Sequence, residues 1–227
     1  MYRKILVPLD GSILAEGVLP YVRSIARAIQ VPVELLQVND RARARAYGPA
    51  VQVAQYLEKI AASFSGITDV KYTLELGNPA DAIVDHAAGQ PDALIAMATH
   101  GYSGGQRWLL GSVAEKVLHG ATNHLLLVRP AGGDIGGEAR LNTILVPLDG
   151  SELAEKVLPT VIELASFLKF EAVLVRVLVR VYFGPPDEFR PVCGSNIPNQ
   201  NELWAQAGAV VSHYLSEKVE QLRTKGL

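Results

Sequence analysis

One segment of this chain occurs twice, almost unchanged. Residues 5–20 read ILVPLDGSILAEGVLP and residues 144–159 read ILVPLDGSELAEKVLP, so the two differ only at Ile13/Glu152 and Gly17/Lys156. The offset of 139 residues is the length of a typical domain and far exceeds the period of a solenoid repeat. The chain therefore carries a duplicated domain.

The second copy is shorter than the first. The chain reaches residue 227, which corresponds to about residue 88 of the first copy, so ALIAMATHG and the glycine-rich stretch behind it have no counterpart. Between the copies, AGGDIGGEAR is rich in glycine and polar, which is typical of a flexible linker. We expect a first domain over residues 1–131, a linker over 132–140 and a partial second repeat over 141–227.

Composition excludes several classes of protein. Lys plus Arg is 21 and Asp plus Glu is 23, giving a net charge of −2, which provides no basic face for nucleic acid. The single Cys193 excludes an intrachain disulfide framework and fits a reducing compartment. The start, MYRKILVPLD, is not a signal peptide, and no apolar run is as long as a membrane helix. We expect a soluble, cytoplasmic protein without a nucleic-acid or membrane partner.

Short apolar runs alternate with helical periodicity. KILVPL, VPVELLQV, DALIAMA and HLLLVRP indicate buried strands, and the alternation in VKYTLEL indicates a half-exposed strand. Helical spacing predicts helices over residues 12–29, 47–64, 79–88 and 112–119, and over 202–222 in the second copy. Strands that alternate with helices predict a parallel α/β sheet with right-handed crossovers.

Two loops carry chemistry suited to a ligand at the carboxyl ends of strands, where open α/β sheets bind their ligands. In the loop after the first strand, Asp10 can accept hydrogen bonds from a ribose or a base amine. The second loop follows DALIAMA and includes His100, a candidate polar contact. It ends at Gly111-Ser112, which opens a helix whose N–H groups suit a phosphate, with Ser112 as the cap. Ordinary turn and cap roles explain the same residues, so both interpretations stay open at this point.

At these residues the chain resembles the universal stress protein family. The resemblance rests on KILVPLDGS, the THG loop, LLGSVAEKVLHGA and LLLVRP, and it covers the first copy and the opening half of the second. ATP-binding members of that family carry G-x-x-G, nine residues and then G-[ST]. Here Ala98 stands in place of the first glycine, Gly101 is the second, and Gly111-Ser112 follow after nine residues. The departure at Ala98 implies weaker or altered binding.

The resemblance implies a Rossmann-like, flavodoxin-like sheet of five parallel strands in the order 3-2-1-4-5, with helices on both faces. It places adenine and ribose against Pro8, Leu9, Asp10 and Val38. It places the triphosphate on Ala98, Gly101, Gly111, Ser112 and Val113. It implies no catalytic residue and no protein metal site.

The implied function is that of an adenine-nucleotide-binding regulatory protein of the stress response. The ligand is ATP, with AMP or ADP as alternatives and Mg²⁺ as an open companion ion. At most one nucleotide per chain is expected, because the second copy lacks the phosphate half, and a homodimer is expected to form through residues 124–130. Two alternatives remain, a nucleotide-free interaction protein and a slow ATPase. The latter is disfavoured because the glycine loop has no lysine and no neighbouring carboxylate pair.

Overall fold

The computed structural model describes residues 1–40, 50–67, 69–100, 110–129, 135–179 and 200–227. These residues form two compact units, Met1–Arg140 (unit 1) and Leu141–Leu227 (unit 2). Within the part of the chain that is described, no helix is both long enough and apolar enough to cross a membrane.

Unit 1 is built on a five-stranded parallel sheet. Its strands are β1 (Lys4–Leu9), β2 (Val33–Asn39), β3 (Val70–Leu76), β4 (Ala93–Ala98) and β5 (Leu125–Val128). Their order is β3-β2-β1-β4-β5, and every neighbouring pair is parallel. The predicted fold class and strand order are confirmed.

The central strands are apolar throughout because both faces of the sheet are covered. Ile5 of β1 lies opposite Val33 of β2 on one side and Leu94 of β4 on the other. All residues of β4 are buried, as are nearly all of β1 and β2, whereas β3 mixes exposed and half-buried positions. This difference matches the continuous apolar runs and the alternating pattern of the sequence.

The described residues of unit 1 form five helices: α1 (Ile13–Glu16), α2 (Leu19–Ile29), α3 (Ala50–Ala62), α4 (Pro79–Ala88) and α5 (Ser112–Gly120). The prediction of a single helix over residues 12–29 is wrong, because the helix is interrupted between α1 and α2. Gly17 caps the end of α1, and Pro20 stands in the first turn of α2, where its missing N–H cannot continue the earlier helix. Residues 47–49 of the predicted third helix lie outside the described residues.

One core of unit 1 packs α4 and α5 against β1, β2 and β4. Its buried members are Leu6, Leu36, Val38, Ala80, Ile83, Ala87, Ile95, Met97, Ala114 and Val117. Burying side chains of this size from water is the main force that holds the two helices on the sheet. The start of α5 and the ends of β2 and β4 are positioned by this packing.

The end of unit 1 lies against α2. Arg23 Nη1 donates to the main-chain carbonyls of Ile135 at 2.6 Å and Gly137 at 3.1 Å, and Ser24 Oγ donates to the carbonyl of Ala139 at 2.6 Å. Residues 135–140 therefore differ from the flexible linker expected over 132–140, because their carbonyls are held by side chains of α2. Residues 132–134 lie outside the described residues.

Unit 2 contains β6 (Thr143–Pro147), α6 (Glu152–Glu155), α7 (Leu158–Leu168), β7 (Glu171–Val175) and α8 (Gln200–Thr224). β6 and β7 form a two-stranded parallel sheet. β6, α6 and α7 each begin 139 residues after β1, α1 and α2, so the local structure follows the sequence duplication. The helix predicted over residues 202–222 is present as α8.

The described residues of unit 2 pack against one face of its sheet. Val146 of β6 and Leu148, the residue after β6, join Leu158, Val161 and Leu222 in a small core formed with α7 and α8. Leu145 points to the opposite face and is 62% exposed, whereas Leu6, which holds the same position in β1, is 0% exposed beneath α4 and α5.

Candidate functional site

A cavity of about 240 Å³ opens at the carboxyl ends of β1, β2 and β4. Nine of the ten sequence-predicted site residues line it: Pro8, Leu9, Asp10, Val38, Ala98, His100, Gly111, Ser112 and Val113. The tenth, Gly101, lies outside the described residues. Residues that are distant in the sequence meet here because the carboxyl ends of parallel strands share one edge of the sheet.

The loop after β1 is a tight turn closed by its own side chains. Gly11 has φ +79°, a conformation that glycine adopts without a steric penalty. The main-chain N–H and the hydroxyl of Ser12 both donate to Asp10 Oδ1, at 3.0 and 2.6 Å, and Ser12 Oγ accepts from the N–H of Ala15 at 3.1 Å. Ser12 thus caps α1, and the turn holds the Asp10 carboxylate at the wall of the cavity.

The N-terminus of α5 opens on the cavity, and no side chain among the described residues caps it. Gly111 is the N-cap, and Ser112 is the first residue of this nine-residue helix. The prediction that Ser112 caps α5 is therefore wrong, because a cap must precede the first helical residue. The free N–H groups of the first turn and the positive end of the helix dipole favour an anion at this wall.

Gly111 is required by protein packing. Its main-chain N–H donates to the carbonyl oxygen of Thr99 at 2.8 Å, and a Cβ atom added to Gly111 would lie 2.8 Å from that oxygen. Gly111 has φ −63°, which any residue adopts, so close approach of two backbone segments explains the glycine.

His100 brings a polar ring to the same wall. Its Nδ1 atom lies 3.0 Å from the Thr99 hydroxyl. Its Nε2 atom is buried and has no hydrogen-bond partner among the described residues. A buried imidazole nitrogen beside a cavity is usually satisfied by a bound group or by water, so His100 fits a polar ligand.

Comparison with known proteins decides the family. The model of the universal stress protein family matches residues 1–129, which is more than half of the chain. The chain belongs to the universal stress protein family.

Individual relatives agree with that membership. A putative universal stress protein of Staphylococcus aureus (strain USA300) is 29% identical over 142 residues, covering 56% of this chain and 84% of that protein. The structure of hypothetical protein MJ0577 is 28% identical with a TM-score of 0.52, covering 59% of this chain and 99% of that one. A universal stress protein from Archaeoglobus fulgidus DSM 4304 has a TM-score of 0.62 at 19% identity, covering 82% of this chain and 67% of that one. The last likeness shows the fold alone.

In this universal stress protein, sequence reasoning missed several residues of the cavity wall. The polar ones are Asp40 after β2, Asn78 before α4, Thr99 after β4 and Lys116 on α5. Asn78 was visible as a helix cap followed by proline, and its Oδ1 accepts from the N–H of Ala80 at 3.0 Å. Lys116 lies four residues after Ser112, and this helical spacing puts the two on one face. Asp40 carried no signal beyond its position at the end of a strand.

The acidic side chains of the cavity lie on one side, and the basic side chains lie on the other. The strand order places Asp40, after β2, and Asp10, after β1, on one side. His100, after β4, and Lys116 of α5 lie on the other side. Such an arrangement suits a ligand with hydrogen-bond donors at one end and negative charge at the other.

Tyr56 of α3 stands close to the acidic side. Burial, with the carboxylates of Glu16 and Asp10 adding to it, raises the pKa of the Tyr56 hydroxyl well above its usual 10.0. This hydroxyl therefore stays protonated at physiological pH. Among the described residues, no group of three or more His, Cys, Asp or Glu side chains is placed to hold a metal ion.

Proposed function

We propose that unit 1 binds an adenine nucleotide, with ATP as the first candidate, and that the chain acts as a regulatory protein of the stress response. One observation carries the proposal. A single cavity is lined by the Asp10 turn, by the end of β2 at Val38 and by the uncapped N-terminus of α5. Each of these three walls suits a different part of a nucleotide.

The walls assign an orientation to the ligand. Val38 offers apolar surface for a base, and the Asp10 carboxylate accepts hydrogen bonds from ribose hydroxyls or a base amine. The first turn of α5 receives phosphate, as helix N-termini do in other α/β folds. Gly101 and Val113 complete the phosphate side in this proposal, as the family pattern implies. Mg²⁺ would accompany the phosphates as part of the ligand.

The departure at Ala98 affects the strength of binding. Ala98 is the last residue of β4, it is buried, and it lines the cavity. The methyl group occupies space that the glycine of the family pattern leaves open. We therefore propose weaker binding than in members with glycine at this position. An Ala98→Gly variant that binds the nucleotide more tightly would support this explanation.

Nucleotide content is the direct test of the proposal. The full chain is purified without added nucleotide and denatured, and the supernatant is separated by anion exchange and read by its ultraviolet absorbance. An adenine nucleotide near one per chain supports the proposal. A chain that is empty and also fails to bind added ATP with Mg²⁺ contradicts it, and would favour a family member that acts through protein contacts alone.

The duplication supplies a matched control. Asp149 in unit 2 accepts from the N–H of Ser151 at 2.8 Å, as Asp10 accepts from Ser12 in unit 1. Asp10→Asn and Asp149→Asn therefore disturb the same turn. We expect only Asp10→Asn to reduce nucleotide binding. Equal losses in both variants would contradict a site confined to unit 1.

We further propose that unit 2 is a partial second copy of unit 1 that holds no nucleotide of its own. Its Asp149 turn is present, but a counterpart of α5 is absent from its described residues. A binding stoichiometry of two nucleotides per chain would contradict this.

A homodimer through residues 124–130 is also proposed. β5 stands at the end of the strand order, and Leu125, Leu126 and Leu127 are only half-buried. An apolar edge strand with open main-chain groups favours pairing with a second chain. Sedimentation over a range of concentrations tests the proposal, and a monomer at every concentration contradicts it.

A further inference from the structure

Lys116 is the cationic side chain among the described residues of the cavity wall. It makes no ion pair or hydrogen bond with the described residues. An exposed lysine without a carboxylate partner keeps its full charge available to a ligand. Its neighbour Glu115 is not part of the wall.

The geometry of a helix aims Lys116 at the phosphate side. Lys116 is the fifth residue of α5, so it lies about 6 Å along the axis from Ser112 at 1.5 Å per residue. Side chains on a helix tilt toward its N-terminus. The flexible stem of a lysine spans such a distance, and its ammonium group therefore reinforces the positive end of α5.

The two sources of positive charge differ in what they can neutralise. A helix N-terminus is equivalent to roughly half an elementary charge, which suits one phosphate group. Lys116 adds a full charge that matters more as the ligand carries more phosphates. On the other side of the cavity, Asp10 and Asp40 repel phosphate and keep it on the α5 side.

Resting on the adenine-nucleotide function proposed above, we propose that Lys116 makes this cavity selective for nucleotides with more than one phosphate. Affinity then rises from adenosine to AMP, ADP and ATP, and a cyclic phosphate, which is tied back to the ribose and held nearer Asp10, binds poorly. The contact is exposed to solvent, so the preference for ATP decreases as salt increases.

The test is calorimetric titration of the full chain with adenosine, AMP, ADP, ATP and cyclic AMP, at low and high salt and constant Mg²⁺. We expect Lys116→Gln to weaken ATP binding about tenfold, as loss of one charge-assisted hydrogen bond does, and to leave adenosine binding unchanged. Lys116→Arg is expected to retain most of the preference. Lys59→Gln on α3, which removes the same charge from a residue outside the cavity wall, should match the wild type.

Each other outcome has a distinct meaning. If Lys116→Gln weakens adenosine and ATP binding equally, Lys116 acts on the shape of the cavity and the inference is wrong. A wild type that binds AMP as tightly as ATP overturns the inference while leaving the nucleotide function standing. If the wild type binds none of the five ligands, the proposed function fails, and the inference fails with it.

Discussion

The guanidinium group of Arg23 holds the main-chain carbonyl of Ile135 at 2.6 Å, which ties the last residues of unit 1 to α2. Arg23 is 5% exposed, donates to Ser63 Oγ at 2.8 Å and lies 5.0 Å from the centre of the Phe64 ring. In unit 2, the position of Arg23 is taken by Ile162. This attachment is therefore specific to the first copy of the duplicated segment.

Replacing Arg23 should release residues 135–140. We expect Arg23→Ile, which installs the residue of the second copy, to lower the free energy of unfolding of unit 1 by about 2 kcal/mol, because hydrogen bonds from a charged donor are lost. Hydrogen exchange at the Ala139 amide and limited proteolysis measure the release. Arg27→Gln is the control, since Arg27 is a half-exposed partner of Glu138 and such pairs contribute little. Unchanged protection at Ala139 in Arg23→Ile would show that the clamp is not needed.

Gly111 should be intolerant of any side chain, with or without nucleotide. We expect Gly111→Ala to destabilise unit 1 by about 1–3 kcal/mol, because its Cβ must displace the Thr99 carbonyl or the start of α5. Thermal unfolding of the nucleotide-free protein measures this. The matched control is Gly208→Ala on α8, where an added Cβ meets no atom within 4 Å, and a gain of about 0.5–1 kcal/mol is expected. A fully stable Gly111→Ala would contradict the packing explanation.

Glu34 should make unit 1 sensitive to acid. Burial raises the pKa of its carboxyl, but hydrogen bonds from Lys4 at 2.8 Å and Thr73 at 2.7 Å, together with His86 at 3.1 Å, outweigh burial. The pKa falls from 4.5 to about 2. A carboxyl group whose pKa is lower in the folded state than in the unfolded state stabilises the fold. This contribution is complete at pH values above the unfolded pKa of 4.5, and it is lost as the pH falls from 4.5 toward 2.

Denaturant titrations at neutral and acidic pH test this assignment. We expect Glu34→Gln to cost about 1–3 kcal/mol at neutral pH, because Lys4 loses its charged partner, and to show a shallower loss of stability on acidification. Glu58→Gln changes an exposed partner of Tyr72. Its free energy of unfolding should depend on pH as that of the wild type does. If the stability of Glu34→Gln falls with pH as steeply as that of the wild type, Glu34 is not the source of the acid sensitivity.

The duplicated strand provides a paired test of burial. We expect Leu6→Ala to reduce the free energy of unfolding of unit 1 by about 3 kcal/mol, the usual cost of a cavity in a core. Leu145→Ala, at the same position of an identical ILVPL segment, should change the free energy of unfolding of unit 2 by less than about 0.5 kcal/mol. Hydrogen exchange of β1 and β6 separates the two units. A large loss in Leu145→Ala would mean that its side chain is covered in solution.

Much of the fold could be predicted because its signals are local. The apolar runs and the alternating VKYTLEL predicted β1 to β5, and the family resemblance implied their order, which the structure confirms. The break between α1 and α2 was missed although Gly17 and Pro20 were visible, because the apolar spacing continues across them. The spacing of apolar residues indicates which face of a helix packs on the core. It does not indicate where a main-chain hydrogen bond of the helix is missing.

The candidate site was predictable in its loops and less so in its details. Asp10 and Gly111 were found because loops at the carboxyl ends of parallel strands share an edge of the sheet, and Pro8, Leu9, Val38 and Ala98 came from the family resemblance. Lys116 and Asp40 were missed because a residue enters a cavity through the packing of its whole element. The attachment of residues 135–140 by Arg23 was also missed, since a glycine-rich sequence gives no sign of a partner more than a hundred residues away.

The sequence alone determined the alternation of strands and helices, the duplication and the loops that meet at one edge of the sheet. Tertiary structure decided what each of those residues contacts. The segment ILVP occurs in both β1 and β6, yet Leu6 is 0% exposed and Leu145 is 62% exposed. Local sequence sets the backbone conformation of both strands. Burial depends on whether α4 and α5, which come from elsewhere in the chain, lie over the sheet.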